Sequence, residues 1–160
     1  MEGPPRNITV VCTGNICRSP MAATLLAHAL KAEDEPLRSI TVSSAGVSAF
    51  AGDPPSKNAC RALEPVKLDL KDHRSRPLSD HLADQSDLIL TMTSGHIQAI
   101  HLLHPELKVP VYRFREWISS GSKEVPDPFG GPLDLYIETR DHLAEAIPSI
   151  IKFLKESFQK

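Results

Sequence analysis

A cysteine and an arginine enclose a short loop in the run Cys12-Thr13-Gly14-Asn15-Ile16-Cys17-Arg18-Ser19-Pro20. The run follows the apolar, largely β-branched residues Ile8-Thr9-Val10-Val11 and leads into residues with helical spacing. A thiol at the end of a buried strand and a guanidinium in the first turn of a helix suit nucleophilic attack on a tetrahedral anion. A tight loop between them turns successive backbone N–H groups toward one point, and the helix N-terminus adds partial positive charge. Gly14 and Asn15 are the residue types that tolerate the left-handed backbone angles such a loop requires. Arg18 can grip two oxygens of a phosphate with its planar fork. The same donors favour the ionised, nucleophilic form of Cys12, and the Ser19 hydroxyl can hydrogen-bond to it. Taken singly, a cysteine at a strand end is an ordinary small hydrophobe and an arginine in a first helical turn is ordinarily solvated. Their conjunction with Gly, Asn and Ser at these spacings is what points to chemistry.

The positioning elements can be read along the chain. Apolar runs at 8–11, 40–42, 88–90 and 109–112 predict four strands, each buried on both faces. Pro110 cannot donate to a ladder, so the fourth strand is predicted at an edge. Met21, Ala22, Leu25, Leu26, Ala29 and Leu30 recur at helical spacing behind Ser19 and Pro20. Residues 43–56 read as a Gly/Pro/Ser-rich loop, followed by a helix over 57–63 and the basic stretch Lys71-Asp72-His73-Arg74-Ser75-Arg76. Further helices are predicted from Ser79 and over 94–103. Leu143, Ile147, Ile150, Ile151, Leu154 and Phe158 form the apolar stripe of a last helix, which Pro148 should kink or break. Strands alternating with helices imply a parallel sheet with helices on both faces, and ligands of such sheets sit beyond the carboxyl ends of the strands.

Composition narrows the function classes. The 160 residues, 41% hydrophobic and 24% charged, with neither repeats nor a linker, predict one domain spanning residues 1–160. A net charge of -2 argues against a nucleic-acid or anionic-membrane partner. No apolar run is long enough to cross a membrane, and Met1 to Asn7 lack the apolar core of a signal peptide. Three cysteines, an odd and sparse set, suit reactive chemistry in a reducing compartment, so a cytoplasmic location is expected. His96, His101 and His104 lack the spacing of a zinc site and read as solvated or capping residues, so no metal is expected. Cys60 reads as structural, and Tyr112 and Trp117 as core or edge packing in preference to lining a ligand cleft. Cys17 lies close enough to Cys12 in the loop to trap its oxidised form as a disulfide.

The loop resembles that of the low-molecular-weight protein tyrosine phosphatases, which carry C-x5-R-S in a strand-loop-helix near the N-terminus. The likeness covers almost the whole chain. It includes Ser44-Ala45-Gly46, His73 and Arg76, Leu90-Thr91-Met92-Thr93, and the late motif Val125-Pro126-Asp127-Pro128-Phe129-Gly130-Gly131. On local grounds Asp127 is only an acidic residue in a Pro/Gly turn. The resemblance implies that it is the general acid. It also implies that Ser44 and His73 support the phosphate loop, formed by Thr13, Gly14, Asn15, Ile16, Cys17, Arg18 and Ser19, and that Ile16, Phe50, Phe129 and Gly130 line the substrate cleft. The implied fold is one three-layer α/β domain with a four-stranded parallel sheet in the order 2-1-3-4.

The chemistry so implied has two steps and needs no cofactor. Cys12 attacks phosphorus while Asp127 protonates the leaving oxygen, and water then hydrolyses the cysteinyl-phosphate. Phosphorylated proteins are the expected substrates, phosphate and vanadate the expected inhibitors, and a monomer the expected state. Arsenate reduction on the same scaffold would require relay cysteines near the third strand, where the chain has Ala83, Asp84, Gln85, Ser86 and Asp87. A carrier that merely holds a phosphoryl group would not need Asp127. Within the family, the arginine phosphatases resemble this chain in the tail of the acid loop and in Asp134-Leu135-Tyr136 with Thr139-Arg140-Asp141. They place Thr where this chain has Ile16, whereas tyrosine-specific members place Ile there. The residue nearest the reacting atoms therefore favours phosphotyrosine, with phosphoarginine as the alternative.

Overall fold

The computed structural model describes residues 5–157. Four parallel strands, β1 (Asn7–Cys12), β2 (Thr41–Gly46), β3 (Leu88–Thr91) and β4 (Val111–Arg113), form one sheet in the order β2-β1-β3-β4. Helices α1 (Arg18–Lys31), α2 (Lys57–Leu63), α3 (Asp80–Gln85), α4 (Ser94–Leu103) and α5 (Leu133–Ser157) cover it. The period-2 alternation of β1 divides the core. Ile8, Val10 and Cys12 join Leu88 and Leu90 in the larger cluster, which is packed with Met21, Leu26, Leu143 and Ile150 of α1 and α5. Val11 and Ile89 face the other way, toward Ala83 of α3 and Ile100 of α4. Every side chain of β3 is buried, as expected of an interior strand covered on both faces.

Three boundaries differ from the sequence expectation. Ser43-Ser44-Ala45-Gly46, predicted as loop, continues β2 and pairs in register with Thr9 to Cys12. The open ladder groups of β1 outweigh the weak strand propensity of Ser and Gly. β4 begins two residues late, with Pro110 outside it, although the Pro110 carbonyl accepts from Ile89 N–H at 3.0 Å, and at the sheet edge it is half-buried to exposed and not covered on both faces. The last helix starts at Leu133, ten residues before the apolar stripe, and runs without a break through Pro148. Proline there deprives only the Ala144 carbonyl of its helical donor. Leu143, Ala146, Ile147, Ile150 and Leu154, buried on both sides of it, hold the helix together. Phe158 lies outside the described residues.

Tyr112, Trp117 and Phe153 pack as an aromatic cluster, with Trp117 and Phe153 stacked at 4.0 Å. Packing, not the cleft, thus accounts for Tyr112 and Trp117. No helix among the described residues is long and apolar enough to cross a membrane.

Candidate active site

The loop between β1 and α1 closes around the Cys12 sulfur. Sγ lies 3.0 Å from Ser19 Oγ and accepts from the Asn15 backbone N–H at 3.3 Å. Asn15 makes the turn at φ +60°, the left-handed region. Gly14 was expected to share that role but has no positive φ. A Cβ on it would meet only Ile16 Cγ1, at 3.8 Å, so nothing in the loop itself demands glycine there.

Four residues on three segments hold Asn15 in its unusual conformation. Its side-chain amide nitrogen donates to Ser19 Oγ and Ser44 Oγ, each at 2.9 Å. Its side-chain oxygen accepts from Arg76 N–H at 3.0 Å, and its carbonyl accepts from His73 Nε2 at 2.7 Å. Burial lowers the His73 pKa, with the Arg74 and Arg76 charges adding to the effect and the bond to Asn15 opposing it. The ring is therefore a neutral donor with its proton on Nε2. Arg76 also donates from Nε to the Ser44 carbonyl at 3.1 Å, tying two of these supports together. Behind them Gly46, the last residue of β2, passes so close that a Cβ would lie 2.4 Å from the Thr13 carbonyl oxygen. That contact, invisible in the sequence, requires glycine.

Arg18 is only 4% exposed. Nη1 donates to the Val125 carbonyl at 2.8 Å, Nη2 lies 3.4 Å from Thr13 Oγ1, and Nε is buried without a partner among the described residues. A desolvated, unsatisfied N–H is costly, so it marks a place for an acceptor. Nη2 also lies 3.6 Å from Asp127 Oδ2. The acid loop is fastened on both sides of that contact. Glu124 accepts from the Ser94 backbone N–H at 3.1 Å and from Ser94 Oγ at 2.9 Å, at the start of α4. Val125 N–H donates to the Met92 carbonyl at 2.9 Å. Asp127 Oδ1 accepts from Phe129 N–H at 3.1 Å, which closes a local turn. One cradle thus brings together Cys12, Arg18, Asp127, Asn15, Ser19, Ser44 and His73.

The apolar residues expected in the cleft are placed differently from one another. Phe50 and Phe129 are 80% and 68% exposed. Ser75 fastens the Phe50 segment by donating to the Phe50 carbonyl at 2.5 Å and accepting from Asp53 N–H at 3.0 Å. Ile16 is half-buried against the main core, and Gly130 turns at φ +80° beyond Phe129. Cys17 is buried beside Ser56 Oγ at 3.5 Å and Tyr136 Oη at 3.4 Å, and burial pushes its thiol pKa up. The same burial pushes Tyr136 up to about 12. All three cysteines are free.

His96 is the residue that sequence reasoning undervalued. It caps α4 as expected, but it is also buried and lies 2.9 Å from Thr13 Oγ1 through Nε2. The available signal was Thr93-x-x-His96, a capping-box spacing with histidine in place of the usual acid or amide. Among the described residues no group of three or more His, Cys, Asp or Glu side chains is placed to hold a metal ion.

Comparison with known proteins agrees with this geometry. The chain is 39% identical over 150 residues to a protein-arginine-phosphatase of Bacillus subtilis, covering 94% of this chain and 97% of that one. It is 38% identical over 129 residues to the low molecular weight protein-tyrosine-phosphatase Wzb of Salmonella typhi, covering 81% and 80%. Two solved structures superpose closely. The YwlE arginine phosphatase of Geobacillus stearothermophilus gives a TM-score of 0.83 at 36% identity over 95% of this chain and 94% of that one. The tyrosine phosphatase Wzb of Escherichia coli K30, solved with sulphate, gives 0.82 at 32% identity over 95% and 98%. The family model for low molecular weight phosphotyrosine protein phosphatases matches residues 7–160. The chain belongs to the low molecular weight phosphotyrosine protein phosphatase family.

Proposed function

We propose that this chain hydrolyses phosphotyrosine in proteins through a cysteinyl-phosphate intermediate, with Cys12 as nucleophile, Arg18 as phosphate clamp and Asp127 as general acid and base. The observation that carries the reading is the buried Arg18 guanidinium at the end of the loop that encloses the Cys12 sulfur: Nε has no partner among the described residues, and Nη2 faces the Asp127 carboxylate. The Cys12 thiolate attacks phosphorus, the S–P bond forms as the bond to the phenolic oxygen breaks, and Asp127 gives that oxygen its proton. Loop amides and Arg18 stabilise the charge on the equatorial oxygens. Asp127, now a carboxylate, takes a proton from water as the water attacks phosphorus, which releases inorganic phosphate and the thiolate.

Ile16 favours the aromatic ester. An apolar, β-branched wall suits a phenyl ring, whereas a phosphoguanidinium brings polar N–H groups that such a wall leaves unpaired, at a cost of roughly 1 to 3 kcal/mol. Phosphoarginine is the second reading, supported by arginine phosphatases that match 94% of this chain and by the Phe129-Gly130-Gly131 rim. We further read residues 1–160 as one cytoplasmic, monomeric phosphatase domain inhibited by phosphate and vanadate. Its free cysteines suit a reducing compartment. Steady-state rates on matched phosphotyrosine and phosphoarginine peptides, with Cys12→Ser as the inactive control, test the assignment. A higher kcat/KM for phosphoarginine would reverse the substrate order, and turnover by Cys12→Ser would remove the nucleophile.

A further inference from the structure

Thr13, the residue after the nucleophile, is exposed, and two nitrogens flank its hydroxyl oxygen. Arg18 Nη2 lies at 3.4 Å and can only donate. His96 Nε2 lies at 2.9 Å, and the far side of its ring decides its role. His96 Nδ1 accepts from the Thr93 backbone N–H at 3.2 Å, so in a neutral ring the proton sits on Nε2. Burial, helped by the nearby Arg18 charge, pushes His96 down to about 4 and keeps the imidazole neutral. Thr13 Oγ1 therefore receives two N–H groups, and its own proton must be donated elsewhere. No third partner of that oxygen occurs among the described residues. Arg18 Nη2, which contacts Thr13, is also the nitrogen that faces Asp127 Oδ2, so the Thr13 hydroxyl stands where the acid loop meets the anion loop.

We propose that His96 is a positioning residue for phosphoryl transfer, donating to Thr13 Oγ1 so that the Thr13 hydroxyl proton faces the oxygens of a phosphoryl group held between Cys12 and Arg18. A hydroxyl that rotates freely must be oriented as charge develops. One whose lone pairs are occupied is already oriented, and preorganised donors are the ones that lower the barrier. The anchor suits the task, because the capping box fixes the ring at the start of α4 and Glu124 binds the neighbouring Ser94. The proposal rests on the phosphatase reading above.

The two functions of the ring can be separated. In His96→Asn the amide oxygen retains the acceptor for Thr93 N–H but no donor reaches Thr13. In His96→Gln an amide nitrogen extends to about where Nε2 sits. With an aryl phosphate as substrate, His96→Asn and Thr13→Val should each lower kcat about 10-fold, the worth of one net hydrogen bond, with KM and the urea midpoint little changed. His96→Gln should recover most of the rate, and the His96→Asn/Thr13→Val double variant should be no slower than Thr13→Val alone. Losses that multiply in the double variant, a rate in His96→Asn equal to that of the unmodified protein, or a fall in midpoint that accounts for the lost activity would overturn the role of His96 and leave the phosphatase reading intact. An unmodified protein that hydrolyses no phosphate monoester would overturn both.

Discussion

Replacing Gly46 by Ala should damage the anion loop from behind without replacing a residue that meets substrate. The added Cβ would lie 2.4 Å from the Thr13 carbonyl oxygen, 2.9 Å from Ala49 Cβ and 3.1 Å from Asn15 N. The first contact is about 1 Å inside ordinary van der Waals separation. Neither side can retreat freely. Thr13 O accepts from Ser48 N–H at 3.0 Å, while Gly46 donates to the Arg76 carbonyl at 3.0 Å and accepts from Leu78 N–H at 2.9 Å. Overpacking of this kind costs roughly 1 to 3 kcal/mol, and a loop displaced by about 1 Å can lose on the order of 10²-fold in rate. Urea unfolding and kcat on an aryl phosphate read the two effects separately. Gly14→Ala is the control, since its Cβ would meet only Ile16 Cγ1 at 3.8 Å, and its stability should stay within about 0.5 kcal/mol of the unmodified protein. Ala49→Gly should relieve little of the Gly46→Ala defect, because the tighter clash is with backbone. A Gly46→Ala protein with unchanged midpoint and unchanged kcat would refute the reasoning.

Asp127→Asn should lower kcat by ~10²- to 10⁴-fold for alkyl or unactivated phenyl phosphates and much less for nitrophenyl esters, whose leaving groups need no proton; equal losses across the series would reduce Asp127 to a loop-shaping residue. The folded-state pKa of His96, about 4, lies below its ordinary 6.5, so the unfolded chain binds the extra proton between those values and stability must fall as pH drops through that window. The loss approaches on the order of 3 kcal/mol by pH 4, and His96→Asn should flatten the pH dependence of the urea midpoint there; a slope unaltered by the substitution would contradict it. Peroxide should convert Cys12 to a sulfenic acid that Cys17 captures as a disulfide, displacing water and leaving its contacts with Ser56 and Tyr136. Dithiol should restore activity, and mass spectrometry showing sulfonic acid on Cys12 or a link to Cys60 would contradict it.

Contiguous features were legible from residue types alone. The anion loop is one run from strand to helix, and its ingredients stand side by side from Cys12 to Ser19. The strand-helix alternation and sheet edge likewise follow from local patterns and Pro110. What could not be read were contacts between distant segments. Gly46 looks like any glycine after a strand until Thr13 O is placed 2.4 Å from its missing Cβ. His96 looks like a capping residue until the fold brings Thr13, 83 positions earlier, against its ring. Pro148 was expected to kink or break α5, because propensity weighs one lost bond and not the five buried side chains around it. The early start of α5 had a local signal, Pro132 followed by Asp134 in the first turn, but the weak apolar pattern there concealed it.

The supports of Thr13, Asn15 and Arg18 also have an order in time. A chain emerging from the ribosome presents Cys12 and Arg18 first, then Ser44, then His73 and Arg76, then His96, and Val125 last. The partner that orients Arg18 is synthesised 107 residues after the arginine itself. Until it arrives, the thiol sits beside an unclamped guanidinium and without an acid. A nascent or truncated chain would thus carry the whole anion-binding run and yet be catalytically silent, so that competence appears only as the acid loop docks and reports completion of folding.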